Sequence, residues 1–280
     1  VAGAAVSGLF ELLAEALRAG EPVALAEVVE GPDALFGGKL VVRPGAAVVS
    51  SGTLGDPDLD RVVGRDALGE LSAGLSVTRH YGLHGEARSR EVAVFIESFA
   101  PPPRMVIFGA VDFTASLARV AKILGYHVTV CDARPVFATR ARFPMADEVV
   151  VSWPDRYLAE IGDALRQRDA VCVLTHDPKF DVPAIVGALA TEVGYLGAMG
   201  SRRTSDERDV RLRGVGVTED QLARVMAPIG LDVGARTPEE TAVAICAEII
   251  ALRTGRVAPS LRDGRGPIHR DLESADFSST

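Results

Sequence analysis

Long apolar runs are missing from this chain of 280 residues. No segment approaches the roughly 18 to 20 uninterrupted apolar residues that a membrane-spanning helix needs. Nor do the first residues carry a basic stretch leading into an apolar one, so a cytoplasmic location without a membrane span is expected. Cysteine is scarce as well. Cys131, Cys172 and Cys246 stand far apart and form no Cys-x-x-Cys pair, which speaks against a disulfide framework or a zinc site and leaves buried free thiols as the expectation. Positive charge is in deficit: 30 Lys and Arg face 38 Asp and Glu, a formal net charge of -8. A general nucleic-acid binder needs the opposite balance to displace counterions from phosphates. Any anionic ligand must therefore be caught by a local cluster of cations. Internal repeats and low-complexity stretches are also lacking.

What is present is enough apolar material, 48% of residues, for two modest cores. Before residue 100 the pattern is mixed. An amphipathic stretch over Val6–Arg18 is followed by short β-type runs at Val23–Val29, Leu40–Arg43 and Val48–Ser50, a helical stretch at Leu59–Leu71 and a strand at Val92–Glu97. This reads as a small α/β or α+β domain over 1–100. The run Pro101-Pro102-Pro103 imposes an extended, stiff segment, and 101–104 is read as a linker.

From Met105 the grammar becomes regular. Met105–Phe108 is a short apolar strand ending at Gly109. Phe113, Leu117, Val120, Ala121 and Leu124 then recur at helical spacing until Gly125. Further strands are predicted at His127–Cys131, Glu148–Val151, Val171–Leu174 and Val193–Leu196, with helices at Tyr157–Leu165 and Pro183–Leu189. Apolar strands alternating with helices imply a parallel, Rossmann-like sheet covered on both faces, here spanning 105–257 before a tail at 258–280. Thr237-Pro238-Glu239-Glu240 combines an N-cap threonine, a proline at the first helical position and a glutamate at the third, and opens a long helix to about Arg253.

In such a sheet, ligands bind beyond the carboxyl ends of the strands. Four loops qualify. In the first, Gly109-Ala110-Val111-Asp112, valine replaces the second glycine that lets backbone approach a pyrophosphate. Asp112 would cap the helix and repel a phosphate there. Asp132 fits the carboxylate that holds a ribose hydroxyl, with Arg134 beside it able to take a phosphate instead; an altered pocket is the alternative. In the second loop, Thr175, His176 and Asp177 cluster after the fourth strand. His176 is a hydrogen-bond donor, a proton carrier or a simple turn residue. The third, Gly197–Thr204, opens a helix carrying Arg208, Arg211 and Arg213. With Gly200, Ser201, Arg202 and Arg203 it is the best anion site, set against a solvated arginine face paired with Asp206, Glu207 and Asp209. The fourth, Pro228–Arg236, is either a specific polar loop or a rigid turn.

Several motifs in joint order carry a resemblance. They are Leu124–Pro135, Arg142–Glu148, Thr175–Asp177, Tyr195–Thr204 and Pro228–Glu240, with Gly264–His269 fitting at the end. Through them the chain resembles the XdhC/CoxI family, accessory proteins that mature molybdenum hydroxylases such as xanthine dehydrogenase and carbon monoxide dehydrogenase. The resemblance implies a cofactor chaperone rather than a catalyst. It would bind molybdopterin-type cofactor, support exchange of its terminal oxo ligand for sulfur, and pass it to an apo-hydroxylase with a cysteine desulfurase as a further partner; homo-oligomers are compatible with it. Cofactor-binding residues are then expected at Gly109, Asp132, Arg134, Thr175, His176, Asp177, Gly200, Ser201, Arg202 and Arg203. Two departures stand out: the family's Gly-Ala-Gly-His turn is Gly109-Ala110-Val111-Asp112 here, and Ser51–Asp56 lacks the cysteine of the family's N-terminal domain. The alternatives are an NAD(P)-dependent oxidoreductase on the same fold, and a scaffold that docks desulfurase to hydroxylase.

Overall fold

The computed structural model describes residues 2–45, 49–87 and 89–263. Val48 of the expected Val48–Ser50 strand and the Gly264–His269 motif lie outside the described residues. The chain divides into two units, Pro102–Pro259 and the residues on either side of it.

In the N-terminal part, α1 (Ala2–Ala19) and β1 (Val23–Glu30) lead into β2 (Lys39–Arg43), β3 (Val49–Thr53), α2 (Pro57–Ala73), β4 (Val77–Tyr81) and β5 (Val92–Phe99). The strands pair antiparallel in the order β3-β2-β1-β5-β4, so the arrangement is α+β. One face of the sheet, with Ala24, Ala26 and Val28 from β1, packs on Leu59, Val63, Ala67 and Leu71 of α2. The other face puts Val23 and Val41 against Leu9, Leu13 and Ala16 of α1, which share one helical stripe. Asp56 caps α2, its carboxylate accepting the Asp58 and Leu59 amides at 3.0 Å, and Leu54 is buried in the core. Thus Ser51–Asp56 ends a strand and starts a helix. Strand β4 escaped the sequence reading because only its end residues are apolar. Its Arg79 is matched by buried Glu70 of α2, a pairing that hydropathy does not register.

The second unit runs β6 (Arg104–Phe108), α3 (Asp112–Ile123), β7 (His127–Cys131), β8 (Glu148–Val150), α4 (Pro154–Ile161), β9 (Ala170–Val173), α5 (Pro178–Leu189), β10 (Tyr195–Ala198), α6 (Arg202–Gly214), α7 (Glu219–Leu222), β11 (Val225–Met226) and α8 (Pro238–Arg253). Its strands form one parallel sheet in the order β11-β10-β9-β6-β7-β8. Strand residues alternate between two layers. Met105, Ile107 and Cys172 face the side carrying α3 and α8, whereas Val106, Phe108, Val171 and Val173 face the side carrying α4 and α5. Two helices begin earlier than the periodicity suggested. Helix α5 starts at Pro178 and keeps Pro183 inside it, because Asp177 caps it and Pro178 takes the first position. Helix α4 starts at Pro154, and a turn of 3-10 helix at Gly162–Ala164 completes the predicted stretch to Leu165. The Thr237 capping box is formed as expected, with the Glu240 amide donating to the Thr237 hydroxyl at 3.1 Å. Helix α7 and β11 are too short for a periodic pattern to announce.

Candidate functional site

Strand order reverses between β6 and β9, so the loops after these two strands flank the crevice at the carboxyl edge of the sheet. They touch directly. Gly109 has φ +110°, and a Cβ placed there would lie 2.7 Å from Thr175 Cγ2 and 3.1 Å from the Thr175 amide nitrogen. Glycine is needed here so that the two loops can meet.

The first turn is closed by its own neighbours. The Gly109 amide donates to the Cys131 carbonyl, the Ala110 amide to Asp132 Oδ2 at 2.8 Å, and the Val111 amide to the Thr114 hydroxyl at 3.4 Å. Arg142 donates to the Ala110 carbonyl at 3.1 Å. Every amide from Gly109 to Val111 is therefore committed inside the protein, leaving none of the three for a pyrophosphate. Asp112 does not cap the helix: Val111 holds the cap position, and the Asp112 side chain is 92% exposed with its oxygen 4.0 Å from Arg142. The residue is one place too late for its carboxylate to reach back over the first turn, and the Thr114 hydroxyl serves the Val111 amide instead.

Asp132 is buried at the end of β7 and accepts four hydrogen bonds, from the Ala110 and Arg134 amides and from Nε and Nη2 of Arg134. Burial alone would raise its carboxyl. The bonds from Arg134 and Ala110 outweigh that and hold it below the usual carboxylate range. Arg134 gains from the same pair, its guanidinium held more firmly protonated by the bond to Asp132, and it lies over the Phe137 ring with 4.5 Å to the centroid. Asp132 and Arg134 thus brace the first turn.

After β9, Thr175 is buried, His176 is exposed and Asp177 caps α5 while pairing with Lys179 at 3.2 Å. The buried Thr175 hydroxyl donates to Asp181, one turn into α5. Asp181 is in turn 3.2 Å from Nη2 of Arg208, which also donates to the Met199 carbonyl. Burial pushes the Asp181 carboxyl up to about 6 despite the opposing pull of Arg208. So the second and third loops are joined by a buried Thr175–Asp181–Arg208–Met199 network.

Of the third-loop residues, Ser201 caps α6, its hydroxyl accepting the Thr204 amide at 3.1 Å. Arg203 is 89% exposed and pairs with Glu207, which also faces Arg211, while Arg213 is held by Glu219. Arg202 is exposed, and among the described residues it has no ion-pair partner. Gly200 sits against the inner arginine: a Cβ there would be 3.4 Å from Arg208 Nη2. The fourth loop is a rigid turn on α8. The Gly230 amide and the Tyr195 hydroxyl both donate to Glu248 Oε2, at 2.9 and 2.6 Å.

Gly109, Asp132, Arg134, Thr175 and Gly200 therefore gather around one crevice edge through direct contacts or short chains of hydrogen bonds, whereas His176, Arg202 and Arg203 point to solvent. Arg142, Asp181 and the inward role of Arg208 were missed. A signal existed for the last: Ser205, Arg208 and Leu212 share one helical face, placing an arginine in a buried stripe. Cys131 and Cys246 are buried thiols pushed up to about 12 and about 11 by desolvation, and Cys172 is raised well above its ordinary value. Among the described residues, no group of three or more His, Cys, Asp or Glu is placed to hold a metal ion, and no helix is long and apolar enough to cross a membrane.

Comparison with known proteins matches residues 105–249 to a family model described as the XdhC Rossmann domain. A probable xanthine dehydrogenase subunit from Bacillus subtilis is 34% identical over 160 residues, 57% of this chain and 46% of that protein. The molybdenum cofactor insertion chaperone PaoD of Escherichia coli is 26% identical over 159 residues, 57% of this chain and 43% of that protein. YqeB of Escherichia coli, an uncharacterized protein, is 27% identical over 83% of this chain and 44% of its own length. The matches span less than half the length of these curated relatives. A crystal structure of a xanthine dehydrogenase from Bacillus halodurans shares the fold, with a TM-score of 0.52 at 21% identity over 89% of this chain and 97% of that one.

Proposed function

The chain belongs to the XdhC family, and from that membership we propose that it is an accessory factor in the maturation of molybdenum hydroxylases, binding a molybdopterin-type cofactor and passing it to the apo-hydroxylase. The observation that carries the reading is the closed first turn. A Rossmann sheet whose Gly109–Val111 amides are all spent internally withholds these three donors from the pyrophosphate that a nicotinamide enzyme holds at this turn. The names of two relatives, one a cofactor insertion chaperone and the other part of a xanthine dehydrogenase, agree with it. The residues present suit a phosphorylated ligand: the start of α6 and a buried guanidinium beneath Gly200 supply donors and positive charge in an otherwise acidic chain. The proposed partners are the apo-hydroxylase and a cysteine desulfurase, with a second copy of the chain as a further one.

The test is gel filtration of the purified chain with molybdopterin, following the pterin by fluorescence. Co-elution is expected. A folded protein that elutes free of pterin, yet binds NADH saturably by calorimetry, would replace this reading with the oxidoreductase one.

A further inference from the structure

Helix α6 carries five arginines, Arg202, Arg203, Arg208, Arg211 and Arg213. Four point outward. Arg208 is different: it is 2% exposed, its Nη2 is used by Asp181 and Met199, and its Nη1 is buried with no hydrogen-bond partner. One turn earlier on the same face, Ser205 is buried and its hydroxyl also has no partner. Two orphaned polar groups thus stem from one face of α6, a single turn apart. Burying either one unmatched is costly, and a buried guanidinium needs a full counter-charge. Asp181 supplies it at Nη2 alone, at 3.2 Å, and Nη1 is left without an acceptor.

We infer that Arg208 Nη1 and Ser205 Oγ form an inner subsite for a phosphate group, reached beneath the Gly197–Thr204 loop, and that this buried pair anchors the anion in preference to exposed Arg202 and Arg203. A tetrahedral oxyanion can give one oxygen to a guanidinium edge and another to a hydroxyl, and so brings acceptors to the two groups that have none. Gly200 lies over this locus: a Cβ there would press on Thr204 at 3.2 Å and touch Arg208 Nη2 at 3.4 Å. The inference deepens the cofactor reading by assigning where the ligand's phosphate sits. It is tested with inorganic phosphate alone, so it stands or falls separately from molybdopterin co-elution.

The experiment is calorimetric titration of the full chain with inorganic phosphate in chloride buffer, with urea unfolding of each variant as a check on folding. The intact chain is expected to bind one phosphate saturably. Ser205→Ala, which breaks no internal hydrogen bond, should weaken binding about tenfold without lowering the urea midpoint. Asp181→Asn, which removes the competing carboxylate, should tighten it, and Arg202→Ala should change it less than about threefold. The inference is overturned if the intact chain shows no saturable binding, if Ser205→Ala binds as the parent does, if Asp181→Asn binds more weakly, or if Arg202→Ala abolishes binding. A Ser205→Ala chain that loses stability along with phosphate would also count against it, because that loss marks a packing role.

Discussion

Gly109→Ala is the sharpest probe of the crevice. The substitution puts a methyl group at φ +110°, 2.7 Å from Thr175 Cγ2. The backbone conformation alone costs a non-glycine residue about 1–2 kcal/mol, and forcing a methyl into a packed contact adds about 1–3 kcal/mol. Gly125 is the internal control. It has φ +83° but open space around it, so Gly125→Ala carries the backbone cost without the clash. Together these figures predict a loss of about 2–5 kcal/mol for Gly109→Ala against about 1–2 kcal/mol for Gly125→Ala. Trp153 is the sole tryptophan and packs on Phe180 with ring centroids 4.8 Å apart, inside the same unit as both glycines, so its fluorescence in urea follows the relevant unfolding. Thr175→Ser then separates clash from strain, because serine keeps the hydroxyl that donates to Asp181 and lacks the offending methyl. In that background the cost of Gly109→Ala should fall by about 1–2 kcal/mol. An unchanged cost in the Thr175→Ser background, or equal costs at Gly109 and Gly125, would refute the argument that the two loops meet through this glycine.

Three further outcomes are expected. Asp181 is held up at about 6 by burial, above its ordinary 3.8, so the unfolded chain releases this proton first as pH rises. Its stabilising contribution is thus present below the ordinary value and lost as pH climbs through about 6. The urea midpoint of Asp181→Asn should accordingly gain on the parent between about pH 4 and pH 7, and a gap that does not change with pH would contradict the assignment. Thr237→Ala removes the acceptor of the Glu240 amide at the start of α8 and should cost about 1 kcal/mol in urea unfolding, whereas no loss would mean that the box contributes nothing. All three cysteines, buried and raised by desolvation, should resist iodoacetamide in native buffer and react in urea, as read by mass spectrometry. Rapid native labelling of Cys172 would show that the sheet opens.

The parallel-sheet unit was legible because its signals are local. Apolar strands of four or five residues, glycine stops and the Thr237 box each depend on neighbours within a turn or two, and family motifs from Leu124 to Glu240 repeat that information. Strand β4 and the early starts of α4 and α5 were not legible by periodicity. The first draws its stability from a helix partner, α5 from its Asp177 cap and α4 from Pro154 at its first position, both ahead of the apolar pattern.

The site divides in the same way. The alternation of elements was enough to place Gly109, Asp132, Thr175 and Gly200 on loops beyond strand ends, since loop position follows from strand position. What each of them does follows from long-range contacts. Asp132 meets the Ala110 amide across 22 positions and Asp181 meets Arg208 across 27, so no short window contains both partners. Whether an arginine lies in water or in the core depends on which face of its helix a distant strand covers. The sequence therefore showed a basic helix, and the fold turned one of its arginines inward.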